Sequence, residues 1–386
     1  MKKFGLILFL ICSYCKAQVM RDSIMGNPKY VKEYVVFLNN SGPYTFMQGD
    51  SEYGHAIITT PENLRASMRR SWFESDFCRY TNNETYYDKD GKITAETWYY
   101  KSGEILRDYN YKYDSLGRLI KKKSKSKYST SEEKFIYAGI SKKLKFTQSH
   151  TKWENEPTKT YFNNREFDTP FILTKFDTLS RTDSIFTVTD FIWKKVGENS
   201  FQRGYDSVFR QKLTQVNYYD KDFQIKESKF YDYETDYYNK KLFQKGHTKF
   251  ERDSLGRIIK ETQLQDDKYT YLILDESGKY HEEIKEGGYA SVSSTQYTYF
   301  DDGKLNRKTH YYQGNLQHQI RFEYDKRNQI KKLFYLDNWG ENKKDRNPTV
   351  TIFKYKLDKY NNWIECIKNV DGEDLYLWKR EIQYYR

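Results

Sequence analysis

The chain has 386 residues, a net charge of +12 and an aromatic content of 18%, with 38 tyrosines. This aromatic content excludes a disordered chain, because disordered sequences are poor in aromatic residues. Acidic and basic residues alternate along most of the chain, which indicates a solvated surface, with a patch for acidic polymers as the alternative. Because tyrosine joins an apolar ring to a polar hydroxyl, the composition favours extended β structure with a modest core.

Residues 1–18 have the order of a secretory signal peptide. A basic start precedes a short apolar run from Phe4 to Cys12, and Ala17 lies near a plausible cleavage point. The run is too short to span a bilayer, and no later stretch is long or apolar enough to do so. We therefore expect export to the periplasm, the outer cell surface or the medium, with no membrane span.

Residues 19–85 are predicted to form an N-terminal β segment with a short helix. The stretch YVKEYVVFL is typical of a strand. Further along, Thr60 is a candidate N-cap, Pro61 occupies a first helical position and Glu62 falls in the first turn. These three residues together predict where the helix begins.

A short motif recurs through residues 86–386. It consists of an aromatic-rich strand, then D-x-x-G, a basic or polar residue, and an aliphatic residue. The clear copies have their aspartate and glycine at Asp88 and Gly91, Asp114 and Gly117, Asp253 and Gly256, and Asp275 and Gly278. Variant copies place Gly303, Asn328 and Asn361 in the glycine slot, with Phe300 in the aspartate slot before Gly303. Weaker copies begin at Asp177, Asp206 and Asp220.

The spacing of this motif is that of a turn. Aspartate accepts a hydrogen bond from the backbone two residues on, and glycine or asparagine tolerates the left-handed conformation at the fourth position. Three copies have a residue that does not fit the fourth position: Ser180, Phe209 and Phe223. We expect that these turns close differently or that the alignment is wrong there. With aromatic alternation in the flanks, the motif predicts antiparallel hairpins. The expected fold is all-β: an elongated, curved antiparallel sheet of repeated hairpins, continuous as one body.

Two long segments support this repeat. Residues 88–122 align with residues 300–332, and each has a turn, a strand ending in Tyr-Tyr, a second turn and a second aromatic strand. Residues 121–133 are predicted to be an exposed hairpin end or loop. Residues 145–170 and 341–348 are predicted to be loops.

Across residues 86–386 the sequence resembles the YD-repeat or Rhs-repeat family, whose units read Y-D-x-x-G-R-L before a second aromatic strand. The late stretch YKLDKYNNWIECIKNVDGE is similar to variants in secreted proteins of Bacteroidetes. The resemblance implies secretion or surface exposure and a curved β sheet. Large members form shells around toxins and have been linked to carbohydrate binding and cell contact. This chain is shorter, its repeats are irregular, and no toxin-like domain follows them.

No catalytic constellation, metal site or cofactor is predicted. The sequence contains no G-x-S-x-G elbow, no phosphate-binding glycine loop and no C-x-x-C or H-x-x-x-H spacing. Paired carboxylates lie in turns, where a structural role is expected. We therefore expect that the protein is not an enzyme.

Aromatic residues are the candidate ligand-binding groups. Aromatic faces stack on sugar rings, and the candidates for such a row are Trp98, Tyr100, Tyr311, Tyr312 and Trp363. The alternative is that these side chains cover a thin sheet. Nucleic acid is not expected as a partner, because basic residues are not clustered beside the aromatics.

Two cysteines, Cys78 and Cys366, remain outside the signal peptide. In an oxidising compartment they are a candidate disulfide between the early and late parts of the chain. The functional expectation is a non-catalytic exported scaffold of the cell envelope that binds glycan or an envelope protein. The alternative is a periplasmic immunity or delivery factor of a toxin or secretion system.

The signal peptide leads to a direct prediction. The exported protein is expected to begin near Gln18 or Val19, because the small residue Ala17 lies at the candidate cleavage point. N-terminal sequencing of exported material measures this. Exported protein that still begins at Met1 would refute cleavage.

Overall fold

The computed structural model describes residues 24–38, 60–137, 139–140, 144–153, 166–197, 200–233, 241–265, 268–274, 280–286, 290–338 and 347–386. The predicted signal peptide and the motif copy at Asp275 and Gly278 lie outside the described residues.

The described residues are almost entirely β, with one helix, α1 (Pro61–Glu74). The first eleven strands are β1 (Pro28–Phe37), β2 (Asn82–Tyr87), β3 (Ile93–Tyr99), β4 (Ile105–Tyr113), β5 (Leu119–Lys125), β6 (Ser129–Tyr137), β7 (Leu144–Trp153), β8 (Glu166–Asp177), β9 (Thr182–Gly197), β10 (Ser200–Tyr219) and β11 (Ile225–Tyr233). The others are β12 (Lys241–Arg252), β13 (Ile258–Gln265), β14 (Lys268–Leu274), β15 (Tyr280–Glu286), β16 (Ser291–Tyr299), β17 (Leu305–Tyr312), β18 (Asn315–Tyr324), β19 (Ile330–Asp337), β20 (Thr349–Leu357), β21 (Trp363–Val370) and β22 (Glu373–Tyr384).

Most strands pair antiparallel with their neighbours in the chain. Strand β12 pairs with both β13 and β14, β13 then pairs with β16, and the hairpin β14–β15 extends from β12. Strand β1 lies between β2 and β22, with Val31 opposite both Thr85 and Ile382. Neither β2 nor β22 therefore presents a free edge for pairing with another chain. The prediction of an all-β, antiparallel sheet of hairpins with one helix near the N-terminus is confirmed.

The aspartate turn closes as its sequence predicts. At the first copy, Asp88 donates its backbone N–H to the carbonyl of Lys92 at 2.9 Å, and Gly91 donates to the carbonyl of Asp88 at 3.0 Å. The carboxylate Oδ1 of Asp88 accepts from the backbone N–H groups of Asp90 and Lys92, both at 2.9 Å. Gly91 has φ 77°, in the left-handed region that favours glycine.

The same hydrogen bonds recur along the chain. Carboxylates that accept two backbone N–H groups in this way belong to Asp114, Asp220, Asp253, Asp325 and Asp358. Their fourth positions, with positive φ, are Gly117 (73°), Phe223 (57°), Gly256 (77°), Asn328 (65°) and Asn361 (64°). At the copy without aspartate, Gly303 keeps φ 85° and its N–H bonds to the carbonyl of Phe300.

The three copies of the motif with an unsuitable fourth residue differ in structure. Phe223 adopts the left-handed conformation and its turn closes like the others, so the expectation of a different closure is wrong there. The Asp177 turn does close differently, because Arg181, one position after Ser180, has the positive φ of 52°. Asp206 lies inside β10, so that copy is a misalignment.

A β-bulge follows each described turn of the motif except the one at Asp177. Tyr87 lies opposite Ile93 and Tyr86 opposite Ala95, so Thr94 is an extra residue on β3. The equivalent extra residues are Ile120, Lys226, Ile259, Asn306, Lys331 and Ile364. A bulge interrupts the ladder and leaves local backbone groups in need of other partners.

Tyrosine hydroxyls supply those partners at five of the seven described bulges. The hydroxyl of Tyr113 donates to the carbonyl of Ile93, the residue just before the bulge, at 2.9 Å. The same tyrosine–carbonyl bond joins Tyr137 to Leu119, Tyr299 to Ile258, Tyr324 to Leu305 and Tyr355 to Ile330, at 2.7–2.9 Å. Each tyrosine comes from the next strand pair along the sheet. The bond therefore joins consecutive repeats, and it accounts for part of the high tyrosine content.

The basic residue of the motif lies over the same tyrosine ring. The guanidinium carbon of Arg118 lies 4.7 Å from the ring centroid of Tyr137, and that of Arg257 lies 4.5 Å from Tyr299. Arg118 Nε also donates to the Asp114 carboxylate at 2.7 Å. A cation over a ring face is attracted to the electron density of the ring. One basic side chain thus contacts both its own turn and the next repeat.

Helix α1 begins as predicted, with the side chain of Thr60 accepting from the N–H of Asn63 at 3.4 Å and with Pro61 in the first turn. Its apolar residues enter two core clusters. Leu64 packs with Trp98 and neighbouring residues of β3 and β4. Met68, Trp72 and Phe73 pack into a larger cluster with side chains from β1 and β17–β22. The boundary predicted at residue 85 therefore falls between elements that pack into the same two clusters.

A buried ion pair holds α1 to β3. The guanidinium of Arg65 donates to both carboxylate oxygens of Glu96, at 2.6 and 2.9 Å. Glu96 is only 1% exposed, and it also accepts from Trp98 Nε1 and the Tyr111 hydroxyl, both at 3.0 Å. A charge so deeply buried is tolerated when all its lone pairs have donors.

The C-terminal end of α1 is held by a buried lysine of β21. Lys368 Nζ donates to the carbonyls of Ser71, Ser75 and Phe77, at 2.9, 2.7 and 2.7 Å. The last carbonyls of a helix lack partners within the helix and carry partial negative charge. The Lys368 ammonium at this end supplies hydrogen-bond donors to the carbonyls and a positive charge opposite their partial negative charge.

Two sequence-based loop predictions have different outcomes. Residues 121–133 form the hairpin of β5 and β6, as expected. Residues 145–153 and 166–170 belong to β7 and β8, so the loop prediction for them is wrong, because strand pairing there overrides a polar composition. Residues 154–165 and 341–346 lie outside the described residues.

The left-handed position of the turn can be tested by two substitutions with opposite effects. Gly91→Ala should lower the free energy of unfolding by about 1 kcal/mol, because a Cβ at this position meets open space and only the backbone cost remains. Phe223→Asn should raise it by about 0.5–1 kcal/mol, because asparagine tolerates this conformation and the Phe223 ring is 60% exposed. Urea unfolding measures both. A neutral Gly91→Ala would contradict the conformational requirement.

Candidate functional site

A polar cleft of about 340 Å³ lies between α1 and strands β16–β19. The helix contributes Ser67, Arg70, Ser71 and Glu74, whose spacing places them on one helix face. The opposite face of α1 carries the apolar residues of the core. One wall of the cleft is therefore a helix whose other face is held by the core.

Strands β17 and β18 supply the floor of the cleft. His310 lies directly opposite His318 in the strand register, and the two rings stack with centroids 4.9 Å apart and an angle of 25°. Oγ1 of Thr295 lies 3.2 Å from His310 Nδ1, and Oγ of Ser293 lies 3.5 Å from His310 Nε2. Both ring nitrogens of His310 thus have hydroxyl partners.

Burial and nearby positive charge keep both imidazoles neutral. Burial lowers the pKa of His318 to about 4, and repulsion from His310 when that ring is protonated and from Lys308 adds to the effect. Burial and Lys308 also lower the pKa of His310. A neutral imidazole offers one donor and one acceptor, so this floor is suited to hydroxyl groups.

The charges of the cleft are unequal. Lys308 Nζ donates to Glu74 Oε2 at 2.6 Å, so these two lining charges offset one another. Arg70 and Arg79 are exposed at the cleft, and within the described residues neither guanidinium has a hydrogen-bond or ion-pair partner. With both histidines neutral, the two arginines leave the lining with an excess of positive charge.

The protonation state of His318 limits the chemistry of the cleft. His318, with a pKa of about 4, is a poor proton acceptor at neutral pH. Among the described residues no group of three or more His, Cys, Asp or Glu side chains could hold a metal ion. The described chain also has no helix long and apolar enough to cross a membrane.

The predicted aromatic row is not assembled. Trp98 and Trp363 are only 1% and 4% exposed, so the prediction that they stack on a ligand is wrong. Trp98 packs against Leu64 of α1, and the ring of Trp363 is covered by the guanidinium of Arg380, whose carbon lies 3.4 Å from the ring centroid. They are core residues because a thin sheet needs large side chains to exclude water.

The other three aromatic candidates also lie outside the cleft. Tyr100 is half-buried against the Trp98 cluster, Tyr311 is half-buried on β17, and Tyr312 is 41% exposed at the end of that strand. None of them lines the cleft, where the aromatic lining residues are Phe77 and Tyr335.

The two cysteines lie in one core cluster but are not joined. Cys78 and Cys366 are free thiols, both fully buried, so the structure does not form the predicted disulfide. Burial raises the pKa of Cys78 to about 12 and raises that of Cys366 as well. A thiol that stays protonated is a poor nucleophile, which suits a packing role.

The cleft was not predicted from the sequence. The sequence shows part of it, because polar residues recur at helical spacing within the predicted helix. These residues are Ser67, Arg70, Ser71 and Glu74. The contribution of His310 and His318 could be found only from the register of β17 and β18.

Comparisons with known proteins show no family and no curated relative. No protein-family model matches the chain, and no curated protein matches it. Among solved structures it is similar to a porin-like protein from Bacteroides uniformis, with 10% identity over 92% of this chain and 98% of that one, at a TM-score of 0.17. A porin-like protein from Bacteroides vulgatus shows 11% identity over 79% and 93%, at a TM-score of 0.23.

A third similar structure is a Tc holotoxin pore from Photorhabdus luminescens, with 11% identity. The similarity covers 75% of this chain and 23% of that one, at a TM-score of 0.11. TM-scores this low give no basis for transferring a function from any of the three.

The neutral histidine pair predicts a pH dependence of stability. The pKa of His318 is about 4 in the folded protein and about 6.5 when unfolded, so the unfolded chain takes up the proton first as pH falls. The contribution of neutral His318 to the free energy of unfolding should be full above about pH 6.5. It should decline as pH falls toward 4. Urea unfolding at pH 7 and pH 5 should show a smaller loss for His318→Gln than for the parent.

His247→Gln is the matched control, because His247 lies on β12 and does not line the cleft. His318→Gln should reduce the pH-dependent loss by the same amount in the His247→Gln protein as in the parent. An equal loss in His318→Gln and the parent protein would refute the assignment to His318.

Proposed function

We propose that this chain is an exported, non-catalytic β scaffold of the cell envelope that binds a small polar ligand in the cleft between α1 and β16–β19. The observation that carries the proposal is the cleft itself. Its volume of about 340 Å³ falls within the range of roughly 300–1,000 Å³ for small-molecule sites. Its lining holds hydroxyl, imidazole, guanidinium and aromatic groups, which together suit a ligand such as a glycan unit.

The rigidity of the walls supports binding. The cleft face of α1 is backed by the core, by the ion pair of Arg65 with Glu96 and by Lys368 at the helix end. A site whose walls are fixed before the ligand arrives loses less conformational entropy on binding. The resemblance to YD repeats supports the scaffold role. The turn aspartates and the tyrosine–carbonyl bonds make each repeat a structural unit.

Two features support a non-catalytic role and export. Both ring nitrogens of His310 already have hydroxyl partners, and His318 remains neutral at physiological pH. The signal-like residues 1–18 support export to the envelope.

A second candidate function is that of a protein partner, such as an immunity or delivery factor of a toxin system. The observation that favours it is β15, which within the described residues pairs only with β14. A free strand edge can accept a strand from another protein.

A cleft-filling substitution tests the proposal. Ser67→Phe places a ring in the cleft, whereas Ala66→Phe adds the same ring to the exposed side of the same helix. On an array of neutral and acidic glycans at two salt concentrations, we expect the parent and Ala66→Phe to bind and Ser67→Phe to lose at least tenfold in affinity.

Two outcomes would contradict the proposal. Equal binding by Ser67→Phe and the parent would place the ligand elsewhere on the surface. No glycan binding by the parent at either salt concentration would favour the protein-partner function.

A further inference from the structure

We infer that the ligand of this cleft is a sugar unit that carries an oxyanion group, a carboxylate or a sulfate, and that Arg70 and Arg79 hold that group. This inference rests on the proposed function, because it names the ligand class of the same cleft. It goes beyond a general polar ligand in assigning the charge and the two residues that recognise it.

The anion preference follows from the unpaired guanidiniums. Arg70 and Arg79 both line the cleft, and within the described chain neither has a hydrogen-bond or ion-pair partner. The other lining cation, Lys308, is already engaged by Glu74 at 2.6 Å. A guanidinium presents paired N–H donors that match the two oxygens of a carboxylate or sulfate. Two such groups at one cleft favour an anion and disfavour a cation.

The sugar preference follows from the floor. Within the described residues neither ring nitrogen of His318 has a hydrogen-bond partner, and the ring is neutral, so it offers one donor and one acceptor. Ser67 and Thr295 add hydroxyl groups to the lining, and Tyr335 adds an aromatic ring. Alternating donors and acceptors beside a ring face match a polyhydroxylated ring better than an apolar acid.

The size of the cleft limits the ligand. A volume of about 340 Å³ lies at the small end of ligand-binding sites. This favours a short acidic sugar unit over a deeply buried polymer. A longer chain would have to leave the cleft past the exposed arginines.

The experiment compares three soluble probes: glucuronic acid, glucose 6-sulfate and glucose. Binding is measured by isothermal titration calorimetry with the full exported protein at physiological salt. We expect both acidic probes to bind at least tenfold more tightly than glucose. Comparison of the two acidic probes identifies whether carboxylate or sulfate is preferred.

The variants are Arg70→Gln and Arg79→Gln, with Arg307→Gln as the matched control. Arg307 is exposed on β17 beside Lys308 and does not line the cleft, so it removes the same charge outside the site. Each cleft variant should lose about tenfold or more in affinity for the acidic probe, because a hydrogen bond to a charged group is lost. Arg307→Gln should stay within about twofold of the parent.

Each remaining outcome overturns the inference. Equal losses in Arg307→Gln and the cleft variants would reduce the effect to overall charge. Unchanged affinity in Arg70→Gln and Arg79→Gln would remove these residues from recognition. If glucose binds as tightly as the acids and Ser67→Phe abolishes that binding, the proposed function stands and the anion inference fails. If no probe binds in a manner sensitive to Ser67→Phe, the cleft is not the site and both fail.

Discussion

The hydrogen bond from a tyrosine hydroxyl to the carbonyl beside five of the seven described bulges is the interaction on which much of the sheet depends. Each described turn of the motif except the one at Asp177 is followed by an extra residue, and without another donor the carbonyl before it would be left unsatisfied at a cost of about 1–3 kcal/mol. Tyr113 and Tyr324 supply that donor from the neighbouring repeat. Where tyrosine makes this bond, phenylalanine would fill the space without supplying the donor, and at the Asp220 turn Arg252 donates to the carbonyl of Ile225 instead.

Helix α1 turns this sheet into a structure with a defined interior. Its apolar face contacts strands from both ends of the repeat array, and its polar face is left to form the cleft. The charges of Glu96 and Lys368 are buried only where several hydrogen bonds replace water. The same helix thus supplies core packing and the candidate binding surface.

Local chemistry was predictable from sequence, and long-range placement was not. The left-handed positions at Gly91, Asn328 and Asn361 follow from the motif, as does the N-cap at Thr60. The burial of Trp98 depends on the docking of a distant helix, which no local pattern encodes. The cleft depends on strand register, which a single sequence specifies only through contacts between strands.

The position of β1 has a consequence for the order of folding. Its Glu33 carboxylate accepts from Arg380 of β22 at 2.6 Å, across 347 positions of sequence. The apolar face of β1 cannot complete its packing until the last strand has been synthesised, so the slowest contacts to form are also the ones that join the two ends of the chain.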